Sequence, residues 1–431
     1  MLKKLVWSAA LIVVLCLAII PAFAAPVTIQ YAFWGNPTSI GVEKDIIDEF
    51  ERTHPNIKVT PVAIAYGDYH QKLLTMMAGG QAPDVMRLDS YFFADFMHSK
   101  ALLDIGKLIK RDKINMAAYY QNGLPDSMYK GHYYGLPWGT APLFMILNNK
   151  MFKDAGLAMP SFDWTWDEFV KDCKVLSKGE GANRQYGFGA GFGSASGDFV
   201  SILPFVWIKG GDLFNKSRTQ FTLDQPASTS QIQAVADMIK QGLFVEPSQL
   251  TSAEVVNRWQ VNNKIAMRIG AASELLSLQQ FADFAFSIYP FPSNGKYTKN
   301  TVVKSNTVGI SPASKNVEAA WEFLKFLRAP GQPGETLYMK AQRIPPSIDD
   351  PELWKLYADP NKYPKNVAES AKTISGPKYS HPLPLRSGWL EVQGILVPEF
   401  QRIFSGQVTA QAAMKGIAPK IKEILTRTSN Y

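Results

Sequence analysis

Tryptophans and short polar side chains follow several predicted strands of this chain of 431 residues. An indole face stacks on the C–H face of a sugar ring, while carboxylates, amides and hydroxyls hydrogen-bond the sugar hydroxyls. A single tryptophan is more often a core residue, but a set of them beside glycine or proline favours a site for a polyol. The candidates are Trp34 with Asn36, Asp89, Trp138 with Thr140, Trp207 and Trp389.

Asp89 follows the most informative of these strands. Asp68 is the predicted N-cap of a short helix that ends at Gly79, and residues 84–88 form the buried strand that leads to Asp89. Open α/β sheets bind ligands beyond the carboxyl ends of their strands. A lone aspartate at such a position can also be a loop cap, so both roles stay open.

The order of the predicted elements indicates an α/β fold. Strands and helices alternate over residues 27–88, which predicts a parallel sheet with right-handed crossovers. A capping box at Thr165 predicts a helix that buries Cys173. Residues 187–197 are predicted to form a glycine-rich loop beside a cleft, and residues 306–310 another strand. The chain length indicates two lobes rather than one.

The N-terminus has the pattern of a secretory signal peptide. Two lysines precede an apolar run from Leu5 to Ile20, and the small residues that follow predict cleavage after Ala24. The run is shorter than the about 20 residues that a membrane-spanning helix needs. We therefore expect residues 1–24 to be removed and the mature protein to be exported to the periplasm.

Composition and missing motifs disfavour several classes of protein. The formal net charge of +8 is spread along the chain, which disfavours nucleic-acid binding. The five histidines and two cysteines fit no metal, redox or nucleophile motif, so we expect no enzyme, cofactor or metal site. A secreted glycoside hydrolase stays open, because its paired carboxylates are brought together only in space. An iron or anion carrier using tyrosines 119–120 or 133–134 also stays open, although neighbours in a strand face opposite sides.

Several short segments occur in the order typical of one protein family. In them the chain resembles the extracellular solute-binding proteins of ATP-driven (ABC-type) importers, and within these the sugar-binding branch related to maltose-binding protein. Each segment alone is weak evidence, whereas the series covers almost the whole chain beyond residue 24. The segments are 33–35, 50–59, 77–85, 134–137, 148–156, 165–169 and 309–324.

The resemblance implies the type II periplasmic-binding-protein fold. Two α/β lobes, each a mostly parallel sheet flanked by helices, are joined by hinge crossovers and close on a ligand. The resemblance places crossovers near 136–142, 305–310 and 343–347. It assigns residues 25–139 and 306–343 to the N-terminal lobe, and residues 140–305 and 344–431 to the C-terminal lobe.

The same resemblance implies a role in uptake rather than catalysis. A monomeric binding protein would capture a sugar in the cleft and deliver it to membrane permease subunits. The residues it places at the cleft are Trp34, Asp68, Asp89, Trp138, Trp207 and Trp389.

One segment departs from the family pattern. Many relatives have a tryptophan where this chain continues through Gly270 to Ser273, which is predicted to begin a helix after a loop of small residues. The free N–H groups of a helix N-terminus can bind an anion. Arg343 replaces an aromatic residue common in relatives, and Arg386 is a further candidate cation. These residues keep open a phosphorylated or acidic polyol as the ligand.

Overall fold

The computed structural model describes residues 25–35, 37–190, 198–250, 259–260, 262–271, 286–297, 300–341, 345–357, 365–384 and 386–428. The predicted signal peptide lies outside these residues. The strands are β1 (Val27–Trp34), β2 (Ile57–Ile64), β3 (Val85–Leu88), β4 (Met128–Tyr129), β5 (His132–Tyr133), β6 (Leu136–Asn148), β7 (Tyr186–Gly189), β8 (Ile265–Ala271), β9 (Phe286–Tyr289), β10 (Thr301–Ile310) and β11 (Ser380–Pro382). The helices are α1 (Pro37–Thr53), α2 (Tyr66–Ala78), α3 (Ser90–His98), α4 (Gly106–Arg111), α5 (Asn149–Asp154), α6 (Trp166–Leu176), α7 (Leu203–Trp207), α8 (Pro226–Lys240), α9 (Val317–Arg328), α10 (Pro333–Lys340), α11 (Pro351–Tyr357), α12 (Lys365–Ser375), α13 (Trp389–Phe404) and α14 (Ala410–Arg427).

The first three strands form the parallel unit that the sequence predicts. β1 pairs in parallel with β2 along its whole length and with β3 on its other side. Ile29, Tyr31 and Phe33 point from one face of β1 into a core that includes Ile46 and Phe50 of α1. The alternation of strand and helix over this part of the chain is therefore confirmed.

Helix α2 begins earlier than predicted. Its N-cap is Ala65 and its first residue is Tyr66, so Asp68 lies inside the first turn and is not the N-cap. Asp68 is exposed there, where a negative charge is favourable beside the free N–H groups of the helix. The predicted end of the helix at Gly79 is confirmed, and Asp89 directly follows β3.

The long strands β10 and β6 lie in the middle of the sheet, between β3 on one side and β8 on the other. The strand order is β2-β1-β3-β10-β6-β8-β7. β10 is antiparallel to both β3 and β6, and β6 is antiparallel to β8, whereas β7 and β8 are parallel. β6 and β10 contain the first two expected crossovers, 136–142 and 305–310.

The ladder between β6 and β10 is interrupted once. Gly139 and Thr140 of β6 together face the single residue Ser305 of β10, which is a β-bulge. Gly139 has φ of 72°, a conformation that glycine adopts without steric cost. The N–H of Ser305 donates to the carboxylate of Asp126 at 2.7 Å, and its hydroxyl donates to the Gly139 carbonyl at 2.8 Å.

Successive residues of β6 face two different cores. Leu143, Met145 and Leu147 pack with helices α6, α8, α13 and α14, while Phe144 and Ile146 pack with the core of α1 and α9. This is the period of two that a strand with both faces buried requires.

The capping box at Thr165 and the burial of Cys173 are confirmed. The predicted loop 187–197 begins later than expected, because its first three residues belong to β7, and residues 191–197 lie outside the described ranges. In the described part of the chain, no helix combines the length and the apolar character needed to cross a bilayer.

Candidate functional site

Asp89 caps helix α3 and forms an ion pair at the same time. Its carboxylate accepts the N–H of Tyr91 at 3.1 Å, and the ammonium of Lys304 on β10 donates to it at 3.0 Å. Only 3% of Asp89 is exposed. Burial raises the pKa of this carboxyl, but the Lys304 charge and the Tyr91 N–H outweigh burial and hold the pKa below its ordinary value. Asp89 is therefore ionised, and Lys304 balances its charge.

Two aromatic side chains of α2 connect Asp89 with Trp34. The hydroxyl of Tyr66 donates to Asp89 at 3.3 Å, and the Tyr66 ring lies 5.7 Å from the Trp34 ring. His70 Nε2 accepts the backbone N–H of Asp89 at 3.2 Å. Burial lowers the pKa of His70 to about 4, so this imidazole is neutral at physiological pH and able to accept. His70 stacks on Phe92 with 3.7 Å between ring centroids.

Trp34 and Trp138 both pack against the buried guanidinium of Arg87. The two indole centroids are 6.3 Å apart with their planes inclined by 64°, and Arg87 Cζ lies 4.2 Å from each. Trp34 is half-buried, whereas Trp138 is 4% exposed. The indole N–H of Trp138 is buried and has no hydrogen-bond partner among the described residues. Of the two rings, Trp34 reaches the surface.

Helix α3 meets the N-terminus of α13 beside this group. The ring of Tyr91 lies parallel to that of Trp389, with 6.0 Å between centroids and 7° between planes. The ammonium of Lys304 lies 4.0 Å from the Tyr91 ring centroid. Asp95 of α3 accepts the N–H of Gly388 at 2.8 Å, and burial raises the pKa of Asp95. The predicted N-terminal and C-terminal lobes therefore touch next to Asp89.

Asp126 is a second carboxyl under the influence of Lys304. Burial raises the pKa of Asp126 to about 7, against the opposing effects of the Ser305 N–H and the Lys304 charge. At neutral pH this carboxyl is divided between its protonated and ionised forms.

The other predicted site residues have different surroundings. Thr140 is buried in the bulge, and its N–H donates to the Pro345 carbonyl at 3.1 Å. Gly270 lies inside β8 opposite Phe144, so the predicted loop of small residues is wrong as far as Ala271, where the strand ends. Asn36, Ser273 and Arg343 lie outside the described residues.

Trp207 and Trp389 were expected at strand ends or in loops because they lie near glycine or proline, but the structure places both in helices. Trp207 ends α7 and Trp389 begins α13; they are 4% and 1% exposed and belong to the same core. Trp138 likewise lies within β6 rather than after a strand. Contact of these residues with a ligand stays a prediction.

A cavity of about 590 Å³ opens beside Trp207. The Trp207 ring stacks on His381 with 3.9 Å between centroids, and its N–H donates to Asp212 at 2.9 Å. His381, Asp212 and Arg218 line the cavity, and the charge of Arg218 also acts on Asp126. The cavity thus has several charged side chains in its lining, although Trp207 itself is not part of that lining.

Some of the residues proposed for the alternative ligands, a metal ion or an anion, form other hydrogen bonds in the structure. The Tyr119 hydroxyl donates to the Arg328 carbonyl at 2.7 Å, and that of Tyr120 donates to Asp349 at 3.0 Å. The described residues contain no group of three His, Cys, Asp or Glu side chains that could hold a metal ion. Arg386 donates to the Leu425 carbonyl at 3.0 Å, so it ties down the end of α14.

Arg87, Lys304, Tyr66 and Tyr91 are neighbours of the site that sequence reasoning missed. Two of them had a visible signal, since a charged side chain inside an otherwise apolar strand needs a buried partner. Arg87 in Val85–Leu88 fits that description, and Lys304 is the one charged residue of the largely buried strand Thr301–Ile310.

Comparison with known proteins decides the family. Residues 36–332 match the bacterial extracellular solute-binding protein family. The chain belongs to this family. The resemblance seen in the sequence is confirmed, and the family and fold are those of transport binding proteins.

Relatives of this solute-binding protein are distant in sequence and close in fold. A putative binding protein of Brucella abortus is 24% identical over 387 residues, 89% of this chain and 90% of the relative. The ABC substrate-binding protein of Listeria monocytogenes in complex with cycloalternan is 23% identical, with a TM-score of 0.80 over 94% of this chain and 100% of that one. The sugar-binding protein MalE of Xanthomonas citri is 18% identical, with a TM-score of 0.77 over 93% and 98%. The two-lobed α/β fold is thereby confirmed, while the exact lobe boundaries stay a prediction.

Proposed function

We propose that this solute-binding protein is the substrate-binding component of an ATP-driven carbohydrate importer. The main support is the half-buried ring of Trp34 close to the Asp89–Lys304 ion pair. Such a ring offers an apolar face to sugar C–H groups, and the remaining N–H groups of Lys304 can donate to sugar hydroxyls. Similarity to a protein solved with cycloalternan and to a sugar-binding protein agrees with this ligand class.

The charges favour a neutral sugar over a phosphorylated or acidic polyol. Lys304 already faces the carboxylate of Asp89, so an anionic ligand would compete with Asp89 for the same ammonium. Ser273 and Arg343, on which the anionic alternative depends, lie outside the described residues.

Ligand capture would work through the contact between the lobes. A sugar between Trp34 and the α13 side would add contacts present only when the lobes are closed, and that differential affinity drives closure. After removal of residues 1–24, the exported protein would act as a monomer in the periplasm. In its closed form it would then dock on membrane permease subunits.

The test is binding by the chain that lacks residues 1–24. A panel of neutral mono- and oligosaccharides and sugar phosphates is screened by thermal shift, because a ligand that binds only the folded state raises the melting temperature. Trp34→Ala should weaken binding of the best ligand about tenfold, since an aromatic contact of about 0.5–1.5 kcal/mol beyond its area is lost. Trp166→Ala, a half-buried tryptophan packed 5.5 Å from Phe169, is the matched control and should bind normally.

The recovered ligand distinguishes transport from hydrolysis. Asp89 with a lowered pKa near Asp126 with a raised one would also suit the two carboxyls of a glycoside hydrolase. Intact sugar after prolonged incubation supports the binding protein. Cleaved sugar, or no shift with any member of the panel, contradicts the proposal.

A further inference from the structure

Arg87 carries a buried charge for which the fold offers no evident need. Its side chain is fully buried on the central strand β3, and its guanidinium donates to Glu43 of α1 at 2.8 Å, itself 1% exposed. Glu43 also accepts hydrogen bonds from the hydroxyls of Tyr31 and Tyr338. Replacing such a buried ion pair by apolar residues is often neutral or stabilising, so stability alone does not explain it.

The guanidinium is placed to hold the two indole rings of the candidate site. It lies 4.2 Å from the centroid of Trp34 and equally far from that of Trp138. It also donates to the backbone carbonyl of Trp34, which is the last residue of β1. Arg87 therefore contacts Trp34 through both ring and backbone, and the carboxylate of Glu43 holds the guanidinium through Nη1.

Cation–π contacts gain strength when water is excluded, and a planar guanidinium suits them better than an ammonium. The ring of Trp34 also has edge contacts with Tyr66 and Tyr69, at 5.7 and 5.2 Å between centroids. The Trp34 ring is thus held by two inclined aromatic rings, and Arg87 adds a cation over it.

We propose that Arg87, locked by Glu43, is a positioning residue that sets the planes of Trp34 and Trp138 and so determines the stacking surface offered to the ligand. This inference rests on the proposed sugar-binding function. Arg87 is fully buried and acts only through the rings.

The main variant is Arg87→Met combined with Glu43→Gln. It removes both charges, so that neither is left buried alone, and the glutamine oxygen still accepts from Tyr338. A neutral sugar selected in the screen should bind this variant about tenfold more weakly, the size of effect expected when an aromatic contact is misplaced. Arg87→Lys keeps a charge without the planar fork and should fall between the variant and the wild type.

A second background shows whether the effect passes through Trp34. In Trp34→Ala protein, the paired exchange at Arg87 and Glu43 should change affinity less than about twofold, because coupled residues are non-additive. Near-ultraviolet circular dichroism provides a readout without ligand: the signal that Trp34→Phe removes from the wild type should already be missing in the paired variant.

The matched control is a second buried Arg–Glu pair, Arg328 with Glu335. The Arg328 guanidinium lies over the ring of Tyr338 at 5.2 Å rather than over an indole. Arg328→Met with Glu335→Gln should change stability by a similar amount, whatever its sign, but keep the Trp34 dichroism signal.

One result would refute the proposed function, and two others would refute only the role of Arg87. Wild-type protein that binds no sugar refutes the proposed function. Wild-type binding together with unchanged affinity in the paired variant refutes the role of Arg87 alone. An equal loss of affinity with and without Trp34 also refutes it, because the effect would then be a general one on the fold.

Discussion

Removal of the Asp89 carboxylate tests the two structural duties of this residue separately. Asp89→Ala removes the N-cap of α3 and the carboxylate to which Lys304 is hydrogen-bonded. Loss of an N-cap costs about 1 kcal/mol. Breaking a buried pair costs about 3–5 kcal/mol, and the lower end applies because 17% of the Lys304 side chain is exposed. We therefore expect Asp89→Ala to lower the free energy of unfolding by about 4 kcal/mol.

Two companion variants divide that loss. Asp89→Asn keeps a good N-cap and removes only the charge, so it should cost about 3 kcal/mol. Asp89→Ala combined with Lys304→Met removes both charges and should cost about 1 kcal/mol, less than either single change, because no charge is left buried alone. Equilibrium unfolding in urea, followed by circular dichroism and fluorescence to check that the transitions coincide, measures all three.

The dependence on pH has a definite sign. The pKa of Asp89 is lower in the folded protein than in the unfolded chain, so its stabilisation is present above about pH 4 and is lost as pH falls through the folded-state value. The difference between wild type and Asp89→Asn should therefore hold from neutral pH to mild acid and shrink in strong acid. A double variant as unstable as the sum of its parts, or a difference independent of pH, would refute the reasoning.

Three further changes follow from other parts of the structure. Asp126→Asn should raise the free energy of unfolding by about 2 kcal/mol at pH 8 and hardly change it at pH 4, as measured by urea titration. The reason is that the raised pKa of about 7 makes wild-type stability fall between about pH 4 and 7. A gain that does not depend on pH would contradict this. Gly270→Ala should cost about 1–3 kcal/mol, since a Cβ there would collide with Ile146, and an unchanged midpoint in urea contradicts the close packing. Thr165→Ala should cost about 1 kcal/mol through the lost capping box, with Thr165→Asn as the conservative control that keeps a cap.

Local patterns were enough to predict the parallel unit of β1, β2 and β3 and the capped helix α6. In each case the signal lies within about a dozen residues, as an alternation of apolar side chains or a capping pair. The start of α2 was misplaced because Asp68 has the chemistry of a cap, whereas the structure begins the helix after Ala65 and uses Asp68 inside the first turn.

The tryptophans show why glycine and proline were misleading. Pro204 lies in the first turn of α7, and Gly388 with φ of 82° is the N-cap of α13. Both residues are common at helix starts as well as in loops, and the sequence does not distinguish the two uses. Trp207 and Trp389 are therefore core residues of helices that the patterns read as loops.

The surroundings of Asp89 could not be derived from sequence for a different reason. Its partner Lys304 is 215 positions away, and the two meet only because β10 returns beside β3. The same holds for Arg87 and Glu43, which are 44 positions apart. Pairings over such distances depend on topology, which periodicity does not encode.

The bulge between β6 and β10 also determines where the molecule is mechanically compliant. A hydrogen-bonded ribbon of two strands is stiff along its paired length and weakest where a rung is missing. That weak point is the level of Gly139 and Ser305, and Lys304 directly precedes Ser305 in β10. Bending of the sheet at this level would therefore move the charges of the candidate site directly. The carboxyl of Asp126 accepts the N–H of Ser305 and so takes the place of the missing rung.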